Sequence, residues 1–171
     1  MFDRLRELYR HEHEFAALDA LSDPSGYDGL PKVDRRDLQY QVVLLPSFEP
    51  FRTWTVYRDK TGWLVRRMSW HQREDWPLTG PELFGADGRL DQAAGDTLAR
   101  SLAEVRVPAF AFLDVFGIDG ITYGIRKPAS YNRAELFWWS HPPDGWEDLA
   151  GWHESAIGTL NAVLPMPTST K

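Results

Sequence analysis

The clearest pattern of apolar and polar positions lies between Arg52 and Trp70: Arg-Thr-Trp-Thr-Val-Tyr-Arg, then Asp59-Lys60-Thr61-Gly62, then Trp-Leu-Val-Arg-Arg-Met-Ser-Trp. Two β-branched and aromatic runs around a four-residue turn ending in glycine predict a hairpin on a type I turn, with Gly62 in the left-handed conformation. Gln41–Leu45, an apolar run stopped by Pro46, predicts a further strand. Ile121–Arg126 and Ala134–Trp139 read as a second hairpin joined by residues 127–133. Phe110–Phe116 alternates unevenly and is read as extended.

Three stretches carry helical periodicity instead. Phe2, Leu5, Leu8, Tyr9, Phe15 and Leu18 recur at three- and four-residue steps, predicting a helix over residues 2–21 that the Ser-Asp-Pro-Ser-Gly run at 22–26 ends. Ala94, Leu98, Leu102 and Val105 mark a second helix over 91–105. Trp146, Leu149, Trp152, Ala156, Leu160 and Val163 mark a closing helix, which Asp144 is placed to cap after the Pro142-Pro143 break. Residues 71–90 hold Pro77, Gly80, Pro81, Gly85 and Gly88 and read as a long surface connection. The order implies an α+β fold: an antiparallel sheet of five or six strands, with N-terminal, middle and C-terminal helices gathered on one face. Residues 1–164 are expected to form a single domain and 165–171 a frayed tail.

Composition narrows the function classes. A chain of 171 residues is long enough to bury roughly 70% of the surface its unfolded form exposes. It has no cysteine, which excludes a disulfide, a thiolate zinc site and a cysteine nucleophile. A net charge of -6 argues against general binding of nucleic acid or anionic membrane, which rests on summed positive charge. The first residues mix acid and base without the apolar core of a signal peptide, and no apolar run approaches the ~20 residues of a membrane span. A cytoplasmic address and no membrane partner are the expectation.

Catalytic and metal-binding patterns are weak. His11 and His13 flank Glu12, but on a helix they point about 200° apart, whereas a zinc-binding pair needs four-residue spacing on one face. Asp119 stands in an Asp-Gly turn dipeptide, and Asp144, Glu147 and Asp148 suit the first turn of a helix, where the dipole favours negative charge. Asp114, inside an apolar run, needs solvent or an arginine partner. Paired, Asp114 and Asp119 give a carboxylate-dependent hydrolase as one reading. The Gly85–Gly88 and Gly117–Gly120 segments lack the strand–loop–helix setting of a phosphate-binding loop. No cofactor is expected.

The first hairpin interleaves Arg52, Arg58, Lys60, Arg66, Arg67 and Arg73 with Trp54, Tyr57, Trp63 and Trp70, against one acid, Asp59. Arginines and aromatics sharing a sheet face make a stacking and phosphate-contact surface for a nucleotide or single-stranded nucleic acid. The same residues also suit a sheet that packs its rings inward. From Ala134 to Ser155 the balance is reversed: Glu135, Asp144, Glu147, Asp148 and Glu154 face no lysine or arginine. An acidic end and a basic hairpin can neutralise each other within one molecule or across a dimer.

Gly-Ile-Asp-Gly-Ile-Thr-Tyr at 117–123, Leu-Phe-Trp-Trp at 136–139 and Pro-Pro-Asp-Gly-Trp-Glu-Asp-Leu-Ala-Gly-Trp at 142–152 resemble a pattern in small uncharacterised bacterial α+β proteins. The resemblance implies a bacterial cytosolic origin and a C-terminal core module. Size, acidity and element order are also similar to those of immunity proteins that neutralise bacterial toxins. The expected function is therefore non-enzymatic binding of another protein or of a second copy, with Arg58, Arg66, Arg67, Trp54, Trp63, Asp114 and Asp119 as the partner- or ligand-binding candidates. The alternative is nucleic-acid binding through the 52–73 hairpin.

Overall fold

A computed structural model describes residues 2–71, 82–111, 119–127 and 134–164. Its elements follow in the order α1 (Phe2–Ser22), β1 (Leu38–Pro46), β2 (Phe51–Asp59), β3 (Gly62–Trp70), β4 (Leu83–Leu90), α2 (Gln92–Glu104), β5 (Ile121–Lys127), β6 (Ala134–Trp139) and α3 (Glu147–Val163). The strands form one antiparallel sheet in the order β4-β3-β2-β1-β5-β6. This is the α+β architecture that the alternation of periods predicts.

The first hairpin forms as read. Asp59 pairs with Gly62, and Gly62 adopts φ +119°, a backbone state that glycine enters without a Cβ penalty. The Asp59 carboxylate closes the turn by accepting from the Thr61 amide at 2.7 Å and its hydroxyl at 2.6 Å. The 71–90 stretch departs from expectation. Leu83–Leu90 is a full strand, pairing with β3 from Trp70↔Leu83 to Trp63↔Leu90. Its glycines serve close approach: a Cβ on Gly88 would lie 2.7 Å from Val163, and one on Gly85 would lie 2.8 Å from Leu30.

Period-two alternation divides the sheet into two faces. Tyr40, Val42, Trp54, Val56, Trp63, Val65 and Ile125 share one face and form the main core with Leu98 of α2 and Leu149, Trp152 and Leu160 of α3. Trp152 ties the two helices together by donating its indole N–H to the Leu98 carbonyl and the Ser101 hydroxyl. The N-terminal helix does not join them. Ala17 and Leu21 pack with Met68 and Trp70, whose positions alternate with Val65 and Arg67, so α1 lies on the opposite face. Sheet side chains complete its C-terminus there. The Leu21 carbonyl accepts from Gln41 Nε2 at 2.8 Å, Thr53 Oγ1 at 3.1 Å and Arg126 Nη2 at 3.4 Å, satisfying a carbonyl with no partner inside the helix.

Two further expectations shift. α3 starts at Glu147 after Trp146, which makes no side-chain cap bond, so Asp144 is an exposed residue upstream rather than the cap. Phe110 is an exposed residue in a bend, and residues 112–116 of that run, Asp114 included, lie outside the described residues. So do the 128–133 connection and the 165–171 tail.

Candidate functional site

Adjacent strand residues point to opposite faces, and that rule decides the fate of the basic hairpin. Arg66 and Arg67 cannot share a surface. Arg66 turns to the α1 face and is 0% exposed. Its Nε and Nη2 grip the Asp87 carboxylate at 2.7 and 2.8 Å, while Nη1 donates to the Pro24 carbonyl and Nη2 to that of Pro31. Arg67 turns to the α3 face, where Nη1 donates to the Leu164 carbonyl at the helix end. Burial, reinforced by the neighbouring Arg52 charge, pushes the Arg67 guanidinium below its ordinary range.

The tryptophans follow the same logic. Trp54 is fully buried. Trp63 is covered by α2, donating its indole N–H to Asp96 Oδ1 at 3.1 Å, with Gly95 so close that a Cβ there would sit 2.3 Å from its ring. Among the described arginines of the hairpin, Arg58 alone has a half-exposed side chain. It stacks 5.1 Å from the centre of the Trp63 ring and approaches Asp96 at 3.6 Å. The stacking surface proposed from sequence is therefore not assembled: its rings face inward under helices, and its central arginines hold the protein's own oxygens. Arg52, Arg58 and Arg66 pair with Glu49, Asp96 and Asp87 rather than with the acidic end, and Arg73 lies outside the described residues. Asp119 is exposed just before β5. Among the described residues no group of three or more His, Asp or Glu is placed to hold a metal ion.

The C-terminal aromatics enclose one imidazole. His153 is 1% exposed, its Nε2 lies 3.0 Å from the Val43 carbonyl, and its ring stands edge-on to Tyr123 and Trp138, which stack on each other 5.5 Å apart. Burial lowers its pKa, partly opposed by the Val43 and Gly124 backbone. Since a carbonyl only accepts, Nε2 carries the proton. The ring locks α3 to β1.

What remains open is the outer side of α3 and the edge it covers. Leu149, Trp152, His153, Ala156 and Leu160 face the sheet, leaving Glu147, Asp148 and Glu154 outward beside the exposed Asp144. No lysine or arginine occurs between Ala134 and Leu164, and among the described residues none of these four carboxylates meets a cation. The first half of α3 sits over edge strand β6, where Trp146 packs edge-on to Trp138. On the other face of that strand Phe137 stays 37% exposed, its ring pressed over Gly124. The sequence showed the run of acids; the exposure of Phe137, on the opposite face of β6 from α3, depends on β6 lying at the sheet's edge, which only the strand order reveals. Compared with protein-family models, curated proteins and solved structures, the chain finds no match, so its functional reading rests on this geometry.

Proposed function

We propose that the chain acts by binding another protein, with the acidic outer half of α3 and the adjoining β6 edge as the docking surface and a basic surface as the partner's chemistry. In that role the chain would act as an immunity-type inhibitor. One observation carries it: Asp144, Glu147, Asp148 and Glu154 are all exposed with no cation among them. Like-signed carboxylates side by side attract a positive surface and repel other acidic proteins, giving both speed and selectivity of encounter. Exposed Phe137, on the opposite face of the same edge strand, supplies an apolar contact at the β6 edge, of the kind that anchors interfaces.

The test compares the protein with a Glu147→Lys, Asp148→Lys, Glu154→Lys variant as bait for bacterial proteins at low salt. The reading expects basic proteins held by the unaltered chain and released by the variant. Retention of the same proteins by both baits, or none by either, overturns it.

A further inference from the structure

The sheet has a second edge, and it is built differently. β4 pairs with β3 over its whole length without a register break. The bond from the His71 amide to the Glu82 carbonyl, 3.3 Å, sets the alternation: residues 84, 86, 88 and 90 exchange hydrogen bonds with β3, and the backbone groups of Leu83, Gly85, Asp87 and Arg89 point outward. The Tyr27 hydroxyl caps the Leu83 carbonyl at 3.0 Å. The outward N–H and C=O groups of Gly85, Asp87 and Arg89 meet no backbone partner among the described residues. Proteins guard such edges with proline, charged side chains or a bulge; β4 has no proline or bulge, and its two charged side chains, Asp87 and Arg89, are held by the chain's own Arg66 and Asp59.

We propose that β4 pairs with β4 of a second copy, antiparallel about a two-fold axis through Asp87, joining two sheets into one. This register uses all three outward residues, setting Gly85 opposite Arg89 and Asp87 opposite Asp87. Shifting it by two residues wastes one of them. On the α1 face, Arg89 of each copy, which pairs with its own Asp59 at 2.9 Å, comes diagonally next to Asp87 of the other, while each Asp87 is already neutralised by its own Arg66. On the helix face, half-exposed Phe84 lies across from Leu90, and Ala86 across from Gly88, so small residues occupy the axis.

Charge selects this edge over β6. α3 has no charged residue after Glu154, and it is this neutral end that reaches β4, with Val163 and Leu164 over Gly88. A two-fold axis at β4 brings two neutral helix ends together. At β6 it would bring together the acidic halves. The inference does not depend on the partner-binding reading, and it would leave both acidic corners free at the far ends of the joined sheet.

Sedimentation of the full chain over a range of concentrations tests it, together with amide hydrogen exchange at Gly85, Asp87 and Arg89. The expectation is a doubling of mass with rising concentration, accompanied by slowed exchange at those three amides. Arg89→Pro removes an outward N–H and the exposed Arg89–Asp59 pair without touching the backbone bonds to β3, and is expected to stay monomeric. A protein monomeric at every concentration, a dimer whose three amides exchange as fast as in the monomer, or a dimer retained by folded Arg89→Pro overturns the proposal. The exchange measurement decides the matter even if the proline variant does not fold.

Discussion

Arg66 and Asp87 meet fork to fork across the β3–β4 pair, with Arg66 wholly removed from solvent. The same guanidinium holds the Pro24 and Pro31 carbonyls, so one side chain fastens both the edge strand and the 24–31 connection to the sheet. A buried pair can cost as much to desolvate as it returns, but removing one partner strands the other's charge. Arg66→Ala is therefore expected to lower stability by about 3–5 kcal/mol in urea unfolding. A loss below about 1 kcal/mol, the scale of an exposed pair, would show that water replaces the guanidinium.

Gly95 sets how closely α2 approaches the sheet. Alanine there has the better helix propensity by about 1 kcal/mol, yet its Cβ would sit 2.3 Å from Cδ1 and Cγ of Trp63, an indole held by Asp96 and overlain by Arg58. Overpacking of this kind costs about 1–3 kcal/mol. Gly95→Ala is thus expected to melt at a lower temperature than the unaltered protein. Equal or higher melting would mean that α2 can lift away freely.

The elements legible in the chain were those whose local chemistry agrees with their final state: the Asp59–Gly62 turn, the strands on either side of it, and the helices with clear stripes. β4 was not legible because Gly85 and Gly88 are poor strand residues, kept there for room under Tyr27, Leu30, Val163 and Leu164. That requirement arises only in the packed structure. The separation of Arg66 from Arg67 was legible in principle, since neighbours in a strand point opposite ways. Which face each would find covered was not, because that depends on where α1 and the 24–31 connection come to rest.

His153 gives the native state a distinctive pH dependence. Burial holds its pKa below the ordinary 6.5, so between the folded and unfolded values the unfolded chain binds more protons and stability rises with pH. Its contribution is complete above about pH 6.5 and is lost as pH falls towards the folded value. Asp34, held at about 2 by its bonds to Arg36, titrates far below this window. Urea unfolding is expected to show lower stability at about pH 5.5 than at pH 7.5, and His153→Phe, which keeps a ring against Tyr123 and Trp138, should flatten the difference. An unchanged slope in that variant would place the titration elsewhere.

The acidic half of α3 makes a kinetic prediction as well as a selective one. Exposed charges act over a screening length of about 8 Å at physiological salt, so Asp144, Glu147, Asp148 and Glu154 act on a basic partner mainly before contact. Their effect belongs in the association rate. For any basic protein retained by the chain, raising the ionic strength or substituting Glu147→Lys with Asp148→Lys is expected to slow association about 10-fold or more, with dissociation changed less. Phe137→Ala should do the reverse, speeding dissociation and leaving association nearly unaltered, because an apolar ring acts only once the surfaces touch. Rapid-mixing fluorescence, using the tryptophans of the complex, separates the two rates. Charge reversal that left association untouched while hastening dissociation would mean that the carboxylates are buried in the complex as direct contacts, not arrayed at its rim to guide encounter.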